Sequence, residues 1–140
     1  MKRYLLLSLL GMLSICAGWP AHAENPVREA QLQNPPAMLV GTWRSGNFAY
    51  TFSGDGRYVY VGAMGGAMMA TASSEEGIYA ISGDVLIIQR QNGVLRTSQN
   101  YRQDLGPSTT TFRWALGNTQ TGPALRLVYP NGGVQIFYKQ

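Results

Sequence analysis

The chain has 140 residues, 45% of them hydrophobic and only 13% charged, with 17 glycines and 7 prolines. That is room for one small domain, and the balance excludes long helical bundles and highly charged disorder while suiting short strands joined by tight turns. The net charge of +4 owes Lys2 and Arg3 to the first few residues, so the rest of the chain is only mildly basic and gives no reason to expect nucleic acid as a partner.

Lys2 and Arg3 lead into an apolar stretch from Tyr4 to Trp19, Pro20 breaks it, and Ala21-His22-Ala23 supplies a small-residue cleavage site. This is the plan of a secretory signal over 1–23, and the run falls short of the roughly 20 residues that a spanning helix needs. The expected product is exported, periplasmic or secreted, and not membrane-spanning. The alternative is a lipid anchor through Cys16, although Ile15 stands where such signals carry a small residue. Cleavage removes Cys16 and His22, the single cysteine and single histidine. Without them a disulfide, a His/Cys zinc site and a Ser-His-Asp triad are all excluded. Of the remaining carboxylates, Asp55 and Asp84 sit in apparent turns, Asp104 ends a strand, and the neighbours Glu75 and Glu76 point to opposite faces of theirs. No carboxylates pair for acid-base work, so the sequence predicts no catalytic residues, no metal and no cofactor.

Residues 24–38 are polar, contain Pro35-Pro36 and show no sustained apolar period, which predicts a mobile or weakly helical tail dispensable for folding. From Leu39 to Gln140 the character is all-β. Runs at 39–44, 47–53, 57–63, 77–82, 85–91, 94–103, 109–116, 124–129 and 134–139 are linked by Ser45-Gly46, Gly54-Asp55-Gly56, Ser82-Gly83-Asp84, Asn92-Gly93 and Asn131-Gly132-Gly133, all hairpin chemistry. An antiparallel up-and-down meander of this kind is most economically closed into a barrel of eight to ten short strands, because closure removes exposed edges. Most of these runs are five to eight residues long, too short for the strands of a transmembrane barrel.

Three pieces in this order resemble the lipocalin-like barrels of the calycin group, in their small bacterial form. Gly41-Thr42-Trp43 is similar to that family's Gly-x-Trp, Phe52-Ser53-Gly54-Asp55-Gly56-Arg57-Tyr58 to its Phe-x-x-Asp-Gly-x-Tyr hairpin, and Gly77-Ile78-Tyr79 with Gly83-Asp84-Val85-Leu86 to its Gly-x-Tyr strand and turn. The resemblance spans 39–91. It implies structural roles for Gly41 and Trp43, with Trp43 at the closed end under a basic cover from Lys139 or Arg126.

Strand order sends the links at 45–46, 64–76, 92–93 and 117–123 to one end. The longest, 64–76, reads as a lid loop carrying Met64, Met68 and Met69, adaptable apolar residues over a mouth rather than a copper site. Alternation points Phe48, Tyr50, Phe52, Tyr58, Tyr60, Phe112, Trp114 and Tyr129 inward as the wall of a cavity. Arg96, Arg102, Arg113 and Arg126 take the opposite faces of consecutive strands and offer an anion or partner surface. Closing 117–122 as a hairpin would set Arg113 directly against Arg126. The function expected is non-enzymatic: an exported barrel binding a small apolar or amphipathic molecule, or an envelope-protein interaction scaffold. The alternatives are a protease-inhibitor-like barrel that uses its N-terminal tail, and an envelope-complex subunit that uses the arginine face.

Overall fold

The computed structural model describes residues 36–140 apart from Ala67; the signal over 1–23 and the tail residues 24–35 lie outside the described residues. Alternating ring and polar side chains fold into nine antiparallel strands: β1 (Gly41–Ser45), β2 (Phe48–Phe52), β3 (Arg57–Gly65), β4 (Ala70–Ser82), β5 (Val85–Thr97), β6 (Arg102–Leu105), β7 (Ser108–Thr119), β8 (Gly122–Val128) and β9 (Val134–Lys139). Eight of them close into a barrel, with β4 paired to β5 and β9 paired back to β1, while β6 lies beside the far half of β5. The stagger is large. Val85, the first residue of β5, stands opposite Arg113 in the middle of β7, and Arg113 stands opposite Val128, the last residue of β8. Among the described residues no helix is long and apolar enough to cross a membrane.

One end is plugged. A short 3-10 turn, Ala37–Leu39, precedes β1 and buries Leu39 completely. Leu39 joins Trp43, Phe52, Tyr58, Tyr79, Leu86, Leu125, Leu127 and Phe137 in a single core of buried side chains. Residues 37 and 38, read from sequence as the end of the tail, open the 3-10 turn with exposed side chains, and the Met38 carbonyl accepts from Lys139. Ring pairs bind the core together, with Tyr50 and Phe137 centroids 5.4 Å apart and Phe52 and Tyr79 4.9 Å apart, both edge to face. Outside the barrel wall Ala80 and Ile87 form a second small cluster with Ile78 and Val85, because both faces of this part of β5 are apolar.

The structure corrects the sequence reading at three places. First, Asn92-Gly93 is not a turn. β5 runs straight through it to Thr97, and the turn comes at 98–101, where Asn100 takes the left-handed conformation (φ 63°). Second, the expected lid over 64–76 is almost all strand: β3 continues to Gly65, β4 starts at Ala70, and only a tight tip separates them. Small residues such as Ala63, Ala70 and Ala72 carry little strand signal of their own and are ordered by pairing. Third, the two-residue turn at Gln120-Thr121 pairs Arg113 with Val128 and Arg126 with Ala115, so the two arginines are not direct neighbours. The turn read at 92–93 thus lies at 98–101, at the same end, and the link at 104–108 does not reverse the chain, because β6 and β7 both run antiparallel to β5. The later links therefore exchange ends: 129–133 joins the open end, and 120–121 moves to the plugged one.

Candidate functional site

Each of the eight expected wall residues faces the interior, but they do not line an empty cup. Tyr50, Phe52, Tyr58 and Phe112 are buried in the core, and Phe48, Tyr60, Trp114 and Tyr129 pack against it. Tyr50 and Tyr60 centroids lie 4.7 Å apart, and Phe112 and Tyr129 meet edge to face at 5.0 Å. Trp114 sits towards the plugged end, with its indole N–H donating to the Gly83 carbonyl at 3.1 Å. Rings thus occupy the lower interior.

The plug is built around Trp43, whose Nε1–H donates to the Leu39 carbonyl at 2.7 Å. Of the two cations considered as its cover, Lys139 is the one present, with Nζ 5.2 Å from the ring centroid and donating to the Met38 carbonyl. Gly41 leaves the space for it: a Cβ there would stand 3.1 Å from Lys139 Cε, and the backbone adopts φ +128°. Arg126 instead points outward from β8.

Towards the open end the interior changes character, and here lie two residues that sequence reasoning passed over. On β4 the alternation that turns Tyr79 and Gly77 inward also turns Glu75 inward; on β5 the alternation of Leu86 and Ile88 brings Arg90 to the same side. Arg90 Nη1 lies 3.1 Å from Glu75 Oε1, and the two side chains are only 21% and 23% exposed. Arg90 Nε also donates to the Gly106 carbonyl at 2.8 Å, at the Gly106-Pro107 break between β6 and β7. A glycine stands opposite each charge. Arg90 faces Gly77 across the ladder, Glu75 faces Gly93, and the register shifts between them at a β-bulge. A Cβ on Gly77 would fall 2.0 Å from the Gln89 carbonyl oxygen, and one on Gly93 would fall 3.1 Å from Arg90 Cδ.

Tyrosine hydroxyls gather round this pair. Burial raises the Tyr60 hydroxyl to about 12, helped by the nearby Tyr129 and Glu75, while a hydrogen bond with Ser73 pulls it the other way. Tyr50 and Tyr58 are raised further by burial, each with Glu75 adding to the effect, and Arg90 opposes it at Tyr58. Tyr129 donates to Gln135 Oε1 at 2.7 Å. The Tyr58 hydroxyl, by contrast, is buried with no hydrogen-bond partner among the described residues. Chemically this is a neutral, mixed donor-acceptor patch on a floor of rings. It offers no nucleophile-base pair, and no group of three His, Cys, Asp or Glu side chains among the described residues could hold a metal.

The methionines assigned to a lid do not close over this patch as a loop. Met64 belongs to β3, Met68 is at the hairpin tip and Met69 just before β4, and all three are exposed. Nor do the four arginines form one surface. Arg96 and Arg102 are direct cross-strand partners on β5 and β6, while Arg113 and Arg126 lie on β7 and β8. Arg102 is bound to Asp104, and Arg113 Nε donates to Asp84 Oδ2 at 3.0 Å, a contact that lowers the Asp84 pKa. Two of the four are thus already committed to surface carboxylates.

Comparison with models of protein families, with curated proteins and with solved structures finds no match to this chain.

Proposed function

We propose that this is an exported, non-enzymatic barrel of the calycin type that holds the polar end of a small amphipathic molecule at its open end, against Arg90, Glu75 and the surrounding tyrosines. One observation carries the reading: an opposite-charge pair turned into a ring-lined barrel, seated on two glycines and a bulge. Apolar side chains of the same volume would stabilise the fold at least as well, so such a pair is poorly explained by stability alone. The unpartnered Tyr58 hydroxyl supports it, since a buried polar group without a partner costs about 1–3 kcal/mol and a ligand atom would satisfy it. Because rings fill the lower barrel, the ligand sits shallow, with its polar end on the charge pair and its apolar part on Phe48, Tyr60 and Tyr129. The net charge of the pair is zero, which favours a hydroxyl, amide or zwitterionic group over a bare anion.

The test is titration with two amphipathic probes, anilinonaphthalene sulfonate and a zwitterionic short-chain phosphocholine, on the wild type and on the double variant Glu75→Leu/Arg90→Met. The expected result is saturable one-to-one binding of the zwitterion, weakened at least tenfold in the folded double variant, and weaker binding of the sulfonate. Absence of saturable binding of either probe, or equal affinity in the double variant, refutes the reading.

A further inference from the structure

The stagger of the barrel leaves a second binding element on its outside. β7 pairs with β5 over Ser108–Arg113, but β8 joins its other side only from Arg113 onward. Among the described residues Ser108–Phe112 therefore has one unpaired edge, and β6 continues that edge beyond Gly106-Pro107. The hydrogen-bonding phase can be read from the ladder. Trp114 N–H donates to the Asp84 carbonyl, so even-numbered residues of β7 bond to β5 and Thr109 and Thr111 direct both backbone groups to the open side. The bond from Thr97 N–H to the Tyr101 carbonyl fixes the phase of β6 in the same way, leaving Arg102 and Asp104 facing outward along the edge. Ser108, Thr109 and Thr111 are exposed. Where β8 diverges, a cavity of about 240 Å³ opens between Thr111 and Phe112 on one side and Val128, Tyr129 and Pro130 on the other.

We infer that this edge is a docking site for an extended peptide segment of a partner protein, which adds a strand beside Ser108–Phe112 and places one apolar side chain in the cavity next to Tyr129. A row of backbone donors and acceptors at strand spacing is matched only by another extended backbone, and an edge with one adjoining side-chain pocket is the arrangement that strand addition uses for affinity and for specificity. Gly106-Pro107 interrupts the edge and keeps it from templating long strands. A second copy of this chain paired symmetrically over Ser108–Phe112 does not fit. An antiparallel copy of the same strand, continuing past its own Ser108, would run into the position that β8 occupies beside Arg113.

The test starts from eight-residue peptides selected from a random phage-displayed library on the full chain. Thr109→Pro and Thr111→Pro each delete an N–H that faces the open side and leave the ladder to β5 intact, whereas Thr109→Val and Thr111→Val keep the edge. Selected peptides are expected to lose at least tenfold in affinity for each proline variant, to stay within about twofold for the valine variants, and to fail when alternate peptide amides are N-methylated. The N-methyl arm uses the unaltered protein and so stands even if a proline variant misfolds. Failure to select a binder, or binders insensitive to both proline and N-methylation, overturns the proposal. It is equally overturned if sedimentation shows a dimer that Thr109→Pro dissociates, which would make the occupant a second copy, or if binding appears only after deletion of residues 24–35, which would make it this chain's own segment.

Discussion

Replacing Trp43 by Ala tests how the plugged end is held. The ring is fully buried, its N–H is spent on the Leu39 carbonyl at 2.7 Å, and Lys139 stands over its face. Removing a buried ring of this size costs about 3–5 kcal/mol, and the orphaned carbonyl and lost cation contact add about 1–2 kcal/mol. A domain of this size is stable by only about 5–15 kcal/mol, and each kcal/mol moves the midpoint of a domain of about 100 residues by about 4–8 °C. Thermal unfolding of Trp43→Ala is therefore expected at least about 15 °C below the wild type. Trp43→Phe, which keeps much of the ring but not the donor, is expected to fall between the two. Differential scanning calorimetry with urea titration reads both. An alanine variant within about 5 °C of the wild type, or a phenylalanine variant as unstable as the alanine one, would refute the account of the plug as packing plus one hydrogen bond.

Gly77→Ala is expected to destabilise by more than about 2 kcal/mol in urea titration, because its Cβ would collide with the Gln89 carbonyl at the bulge; an unaffected midpoint would mean that the bulge can relax. Tyr58→Phe is expected to leave stability unchanged or raise it by up to about 1 kcal/mol, since the hydroxyl it removes has no partner among the described residues, and a clear loss would reveal one. In alkali, Tyr60 and Tyr79 hold their protons to about 12 in the folded chain against 10 when unfolded. Their contribution is therefore complete below pH 10 and lost as pH rises through 12; melting temperatures taken from pH 9 to 12 should fall over that window, and a flat profile contradicts it.

The inward-facing set was legible because alternation is a direct consequence of the pleat, and it survives errors in strand boundaries: Phe48, Tyr50 and Phe52, or Phe112 and Trp114, share a face wherever their strands end. The turns were less so. Asn92-Gly93 carries the residue pair that most favours a tight hairpin, yet here Gly93 serves packing, with Leu105 and the stem of Arg90 closing over the place of its absent side chain. The turn lies at 98–101 instead, and it was the Gly106-Pro107 break, read as a reversal although β6 and β7 run in one direction, that exchanged the ends of the links after it. The run from Met64 to Ser74 failed for the opposite reason, since Ala, Gly and Ser carry no strong local preference and take strand geometry from β3–β4 pairing alone. Arg90 could have been found, because it continues the inward alternation of Leu86 and Ile88, and a charge at such a position is itself the signal.

The bulge and the charge pair explain each other. A continuous ladder would keep β4 and β5 in a single register along their whole length, and the shift between Glu76 and Gly77 is what sets Arg90 against one glycine and Glu75 against another. Gly77 lets the β5 backbone approach at the bulge, where a Cβ would stand 2.0 Å from the Gln89 carbonyl oxygen, and Gly93 leaves space for Leu105 and the stem of Arg90. Beside them the two charged side chains lie inside the barrel and reach one another at 3.1 Å. The fold thus gives up apolar burial, strand regularity and two side chains at one level of its interior. The same level is where the ring-filled lower barrel ends and the tyrosine hydroxyls begin. The proposed reading, a barrel that presents a polar group to a molecule entering from the open end, gives each part of that exchange a use, whereas stability alone does not call for it.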